Sequence, residues 1–224
     1  MRLVVPLVQK LLIPWIIPKQ KFTKFGMNQN DIIQYKAIDA AIISKRKIKN
    51  TKKTIGKRKL ILIRLEEDEA SYSLKKRPII PIVKEILKEF SGQEIVIMTR
   101  YISQKKYLQQ IFQKKIKVLS RVVDSKLLLN NTAIFIGSGG TMTAESALLG
   151  IPTISYNAVP NIIEDYLVRK KLVTREINPK KIVSVMKKVS KSSNSRRKNR
   201  SKKMMSFMED PYPVFLKTIN SIMK

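Results

Sequence analysis

From residue 59 onward the chain alternates between two hydrophobic periods, and that alternation restricts the fold more than any other feature. Residues 59–65 (KLILIRL), 94–100 (EIVIMTR), 115–120 (KIKVLS), 132–137 (TAIFIG) and 152–157 (PTISYN) are short, apolar runs of strand length. Between them the apolar residues recur at helical spacing. Ile82, Val83, Ile86, Leu87 and Phe90 share one face of residues 79–90, which Gly92 closes. Tyr107, Leu108, Ile111 and Phe112 are the apolar positions of residues 103–113. Asp124 or Ser125 can cap a short helix through Leu129. Thr141 to Leu149 forms another helix, ended by Gly150, and two more are expected near 161–170 and 178–189. A strand without polar alternation must be covered on both faces, which in an alternating chain means a parallel sheet between helical layers. The expected fold is therefore α/β: a doubly wound parallel sheet with basic N- and C-terminal extensions.

The extensions differ sharply from the middle. The chain carries 46 Lys and Arg against 16 Asp and Glu, a net charge of +30. Residues 1–60 hold 15 basic and 2 acidic side chains, and residues 166–224 hold 17 and 3. Such an excess attracts anionic membranes or nucleic acid; equally, it suits a lysine-rich solvated surface. Aromatic residues are not interleaved with the basic ones, so nucleic acid is the less favoured partner. The first 18 residues are strongly apolar, but Pro6, Pro14 and Pro18 interrupt a spanning helix. They fit either packing on a neighbouring domain or an interfacial anchor with Trp15 at headgroup depth. Residues 45–59 are expected to be a solvated basic loop. Residues 191–203, KSSNSRRKNRSKK, lack any apolar side chain, and 191–206 is expected to be a flexible basic linker. Residues 207–224 carry a final helix, with Val214, Phe215, Ile219 and Ile222 as its apolar side.

The chain contains neither cysteine nor histidine. That removes disulfides, thiolate and imidazole metal sites, and the Ser-His-Asp and Cys-His catalytic pairs. No cofactor or metal is expected, and no catalytic residue stands out. Without disulfides or a small-residue cleavage site after the apolar start, the expected location is the cytoplasm, with association at the inner face of the membrane as an extension.

The chemistry-bearing stretch is IFIGSGGTMTAESALLG, residues 134–150. A buried strand runs through Gly137, Ser138, Gly139, Gly140 and Thr141 into a helix. Glycines permit a sharp turn and close ligand approach, and a helix start offers unpaired N–H groups that suit a phosphate. Ser138 and Thr141 add hydroxyl donors. Glu145, one turn further on, can accept hydrogen bonds from a ribose diol. The stretch is not a P-loop, because no lysine follows the glycines. The plain alternative is a tight turn with Thr141 as N-cap and Glu145 on the surface. Topology favours the site: in a sheet ordered 3-2-1-4-5, strands 1 and 4 meet at the switch point, where ligands bind beyond the carboxyl ends. Arg64 ends strand 1 and would face the glycine loop across that crevice. Arg100, ending strand 2, and Asn157, ending strand 5, are weaker candidates. The acidic run Glu66-Glu67-Asp68-Glu69 is expected to be a solvated loop.

Residues 122–155, VVDSKLLLNNTAIFIGSGGTMTAESALLGIPTIS, resemble the signature of the "domain of unknown function 354" family. IRLEEDEASY (63–72), MTRYISQ (98–104), EDYLVRKKLV (164–173) and MEDP (208–211) support the match. That family is similar to the two-lobed GT-B glycosyltransferases and to UDP-N-acetylglucosamine 2-epimerase. In the peptidoglycan N-acetylglucosaminyltransferase of this architecture the corresponding loop and helix start bind the nucleotide diphosphate, and a glutamate on the helix binds the ribose. The resemblance carries those roles to Ser138, Gly139, Gly140, Thr141 and Glu145. It also implies that residues 1–30 are the end of a first lobe and that 31–190 is the Rossmann-like second lobe, which binds a UDP-type nucleotide sugar. The chain departs from the family pattern at Ala37, Asp39 and Lys171, the last standing where glycine is common.

The first lobe normally supplies the acceptor site and often the catalytic base. The expected function is therefore the donor-binding half of a glycosyltransferase that works with a separate first-lobe partner. A truncated remnant or binding module without activity, a basic nucleic-acid-binding protein and an epimerase-like activity remain as alternatives.

Overall fold

The computed structural model describes residues 4–45, 60–66, 79–119, 124–156, 159, 161–191 and 195–223. The elements in chain order are β1 (Leu11–Pro14), α1 (Gln20–Thr23), β2 (Ile32–Tyr35), α2 (Asp39–Lys45), β3 (Leu60–Arg64), α3 (Ile79–Glu89), β4 (Glu94–Met98) and α4 (Ile102–Phe112). Then come β5 (Lys117–Leu119), α5 (Ser125–Asn130), β6 (Thr132–Gly137), α6 (Thr141–Leu148), β7 (Thr153–Ser155), α7 (Ile162–Arg169), β8 (Val173–Arg175), α8 (Pro179–Lys191), α9 (Ser195–Ser206) and α10 (Tyr212–Ile222).

Six strands form one parallel sheet in the order β5-β4-β3-β6-β7-β8. The doubly wound sheet is as expected, with β3 and β6 adjacent at the switch point. Successive side chains of a strand point to opposite faces, and both faces of β3 are dry. Ile61 and Ile63 join Ile82, Ile86 and Met186 in a core under α3 and α8. Leu60 and Leu62 join Val96, Phe135, Leu129 and Ile151 on the other side. This double burial is the physical reason that the strand has no polar alternation.

The sixth strand, β8, is not legible in the sequence. Thr174 and Arg175 on it are exposed, so this edge strand lacks the apolar run that betrays the central ones. Its place is set by pairing with β7, with Thr153 opposite Val173.

Two further differences lie in the extensions. Residues 195–206, expected to be a flexible linker, form helix α9. Arg and Lys are good helix formers, and the helix docks through a narrow face. Met204 and Ser201 are buried, and the Ser201 hydroxyl donates to the Leu148 carbonyl at the end of α6. Gly150 makes the contact close: a Cβ there would lie 3.1 Å from the Lys198 Cα. The N-terminal segment, in turn, is not separate from the residues after 30. β1 pairs in parallel with β2, Leu11 opposite Ile32, so a boundary at 30/31 would cut a two-stranded sheet. Trp15 sits edge-on to Tyr166 of α7 at 5.7 Å, and Tyr35 edge-on to Phe215 of α10 at 5.3 Å. In the structure Trp15 thus packs on the domain. Among the described residues no helix is long and apolar enough to cross a membrane.

Lys171 has φ +57°. It follows α7 in a Schellman arrangement, its N–H bonded to Val168 O at 2.9 Å and the Leu172 N–H to Leu167 O at 3.0 Å. This is the left-handed position glycine favours, which accounts for glycine being common there in the family pattern.

Candidate functional site

At the switch point the backbone register places Arg64, the last residue of β3, directly opposite Gly137, the last of β6. The chain then turns through Ser138, Gly139 and Gly140 into α6. Gly139 and Gly140 have φ of +89° and +82°, conformations that side chains other than glycine strain to reach. Gly137 is required for a different reason: a Cβ there would fall 2.6 Å from both the Phe135 ring and Thr143 Oγ1. Thr143 Oγ1 is itself committed, donating to Gly139 O at 3.0 Å. Gly137 thus lets the helix sit tight against its strand, while Gly139 and Gly140 aim its N-terminus outward.

That N-terminus has no side-chain cap. Thr141 is its first residue and not its N-cap, a position taken by Gly140. The Ala144 N–H donates to Gly140 O at 3.2 Å, so the amides of Thr141, Met142 and Thr143 precede the first intrahelical donor. Gly140 and Thr141 are exposed. The Arg64 guanidinium donates to Thr99 O at 3.0 Å, just beyond the end of β4. A guanidinium and an uncapped helix start are the two devices that bind phosphate most directly, and the register sets the Arg64 backbone beside the strand end that leads into α6.

Glu145 is not a surface residue. It is 5% exposed and accepts from Ser125 Oγ at 2.7 Å, which joins it to the start of α5. On the adjoining face of α6 a cavity of about 150 Å³ opens between the starts of α2, α6 and α7. It shares Gly140 and Thr141 with the loop and is lined also by Asp39, Asn161 and Glu164. Asn161 caps α7 by accepting from the Glu164 N–H at 2.8 Å. Glu164 is 3% exposed; Arg175 Nε donates to its Oε1 at 3.0 Å. Its Oε2 has no hydrogen-bond partner among the described residues. Asp39 accepts from the Tyr35 hydroxyl, and burial together with that carboxylate pushes the Tyr35 phenol upward. These cavity residues escape a reading of the sequence because they come from three distant segments.

Two weaker candidates fare differently. Arg100 lies beyond β4, which β3 separates from β6, and its side chain is exposed; the fold does not bring it to the glycine loop. Asn157 lies outside the described residues, as do Glu67, Asp68 and Glu69. Glu66, expected to be solvated with them, is 7% exposed instead, because the hydroxyl of fully buried Tyr156 donates to its carboxylate. Among the described residues no group of three or more Asp or Glu side chains could hold a metal ion.

The family model "Protein of unknown function (DUF354)" matches residues 1–224. The chain belongs to this family. An uncharacterized protein of Methanocaldococcus jannaschii is 28% identical over 198 residues, 82% of this chain and 55% of that one. Among solved structures, the Neisseria meningitidis UDP-GlcNAc 2-epimerase bound to UDP-GlcNAc superposes with a TM-score of 0.71 at 16% identity, over 98% of this chain and 63% of that one. The Methanocaldococcus jannaschii UDP-GlcNAc 2-epimerase, solved with UDP-GlcNAc and UDP, gives 0.60 at 16%, over 84% and 56%. A spinosyn rhamnosyltransferase complexed with spinosyn aglycone gives 0.57 at 15%, over 72% and 45%. These likenesses show the fold: the DUF354 chain has the Rossmann-like architecture of GT-B glycosyltransferases and epimerases. It spans about half the length of the relatives it matches, from 45% to 63%.

Proposed function

We propose that this DUF354 chain binds a nucleoside-diphosphate sugar, of UDP type, as the donor-binding part of a glycosyltransferase. One observation supports the reading: Arg64 and Gly137 are register partners, so an arginine is borne beside the strand end that leads into the uncapped start of α6. The ligands of the two epimerase structures, UDP-GlcNAc and UDP, agree with that chemistry. In the transfer step both devices would stabilise negative charge developing on the departing diphosphate.

The flanks give the ligand a direction. Ser138 and Thr141 would donate to the phosphates. The ribose diol would lie toward Glu145 and Ser125, competing for a carboxylate already hydrogen-bonded. The sugar would enter the cavity beside Asp39 and Glu164. A basic surface would let the assembly work at an anionic membrane.

Thermal unfolding with UDP, GDP and their sugars tests the reading. A ligand at one hundred times its Kd stabilises the folded state by about 2.7 kcal/mol, a rise of roughly 5–10 °C for a chain of this size. Arg64→Ala should abolish most of that rise, and Glu145→Gln should reduce it without emptying the buried position. Equal stabilisation of all three proteins would show that the site lies elsewhere, and no response to any nucleotide would end the proposal.

A further inference from the structure

Helix α10 is turned the wrong way round for a helix in water, which buries its apolar side and shows its polar one. It packs on the domain through Val214 and Phe215 and through Thr218, which is buried. Outward it carries Tyr212, Leu216, Ile219 and Met223, a spacing that lines them up in one stripe along a helix. All four are exposed, Tyr212 by 62% and Met223 by 79%. Lys217 is the one charged residue of the helix. The hydroxyls of Thr218 and Ser221 are spent within it, donating to Val214 O at 2.8 Å and to Thr218 O at 2.7 Å. A continuous exposed apolar surface of this kind marks a place of contact.

The preceding helix is the opposite in character. α9 carries six Lys and Arg side chains and no Asp or Glu, and Arg196, Arg200, Lys202 and Lys203 are exposed. Met204 of α9 joins the core cluster on which Val214 and Phe215 of α10 pack. Both helices therefore lie over the same part of the domain, with these outer faces turned away from it. The connection between them is fixed. The Lys36 N–H donates to the Glu209 carboxylate, the Glu209 N–H donates to Lys36 O at 3.0 Å, and the Tyr212 N–H donates to Asp210 Oδ1 at 3.0 Å. The two acidic residues of the connection are thus taken up by backbone donors.

An anionic bilayer is the occupant that satisfies both surfaces at once. Apolar side chains enter the acyl boundary while Lys and Arg meet the phosphate headgroups, and the ring of Tyr212 suits that boundary. A second copy of the chain would cover the stripe but bring the cations of two α9 helices together, with a net charge of +30 on each chain. Nucleic acid would pair with the cations and leave the stripe in water. We propose that α9 and α10 form an interfacial membrane-binding element: α10 lies in the plane of an anionic phospholipid surface on its stripe from Tyr212 to Met223, and the cations of α9 hold it there. Neither helix lines the cavity at the start of α6, so lipid binding and nucleotide binding are separate, and the loss of one leaves the other standing.

The test is co-sedimentation of the full chain with vesicles of equal parts phosphatidylglycerol and phosphatidylcholine, and with phosphatidylcholine vesicles, at one fixed salt concentration. Wild type should pellet with the mixed vesicles and bind pure phosphatidylcholine at least about tenfold more weakly. Lys202→Gln joined with Lys203→Gln should weaken binding to the mixed vesicles about twentyfold, at about fivefold for each cation near the surface. Leu216→Gln joined with Ile219→Gln should weaken it at least about tenfold at an unchanged melting temperature, because both side chains are exposed. Should that variant fold poorly, Met223→Gln decides in its place, with a loss of at least about threefold. Wild type left in the supernatant with mixed vesicles refutes the proposal. So does undiminished binding by the apolar variants, which would reduce the contact to charge alone. A dimer in sedimentation velocity that Leu216→Gln with Ile219→Gln abolishes, without vesicle binding, gives the stripe to a second copy and overturns the membrane role. Binding to a duplex oligonucleotide but to neither vesicle gives α9 to nucleic acid and overturns it equally.

Discussion

Gly137→Ala should damage both the fold and the site, by an amount the structure bounds. The added methyl carbon would meet Phe135 Cε1 and Thr143 Oγ1, each at 2.6 Å, and Phe135 Cζ at 3.1 Å. Contacts this short cannot persist, so the strand, the ring or the threonine must shift. The Phe135 ring is wholly buried between Leu129 and Ile151 in a close-packed layer, and overpacking of such a core costs about 1–3 kcal/mol. Moving Thr143 breaks its hydrogen bond to Gly139 O, a further loss of about 0.5–1.5 kcal/mol. Together these give a destabilisation of roughly 2–4 kcal/mol, measured as a lower urea midpoint at unchanged slope. Because the displaced threonine braces the loop, nucleotide stabilisation should fall as well. Thr143→Ala alone should cost about 1 kcal/mol. Joined with Gly137→Ala it should relieve one of the two clashes, so the double variant should fall short of the summed losses by at least about 0.5 kcal/mol. A cost below about 0.5 kcal/mol for Gly137→Ala, or strict additivity in the double variant, would refute this account of the turn.

Lys171→Gly should stabilise the chain by about 0.5–1 kcal/mol, because a left-handed lysine costs more than the extra freedom glycine brings to the unfolded state; the check is a melting point higher by about 1–3 °C. Stability should also depend on pH above the ordinary tyrosine range. Tyr156 and Tyr35 titrate higher in the folded state than in the unfolded one, for burial and for the carboxylates beside them. Their contribution is complete below about pH 10 and is lost as pH rises beyond it, by up to about 1.4 kcal/mol per pH unit for fully buried Tyr156. Urea midpoints of wild type and Tyr156→Phe between about pH 9 and 11 should show the shallower fall in the variant.

The sequence alone determined what depends on neighbours along the chain. Strand and helix period, the Gly150 stop after α6, the Asp124 cap of α5 and the glycine turn are short-range patterns, and each is a local consequence of backbone sterics and burial. The family signature around residues 122–155 carried the family membership by the same local means. Tertiary structure decided whatever depends on partners far away in sequence. Thr174 and Arg175 form a strand only because β7 offers an edge, and the basic residues of α9 are ordered only because Ser201 and Met204 find α6. Glu145 left the surface when α5 supplied Ser125. Glu66 and Tyr156, 90 residues apart, are an ordinary glutamate and tyrosine until the sheet closes over them. A hydrophobic period records the environment of one strand or helix face; it holds no record of which distant polar atom will lie across the crevice.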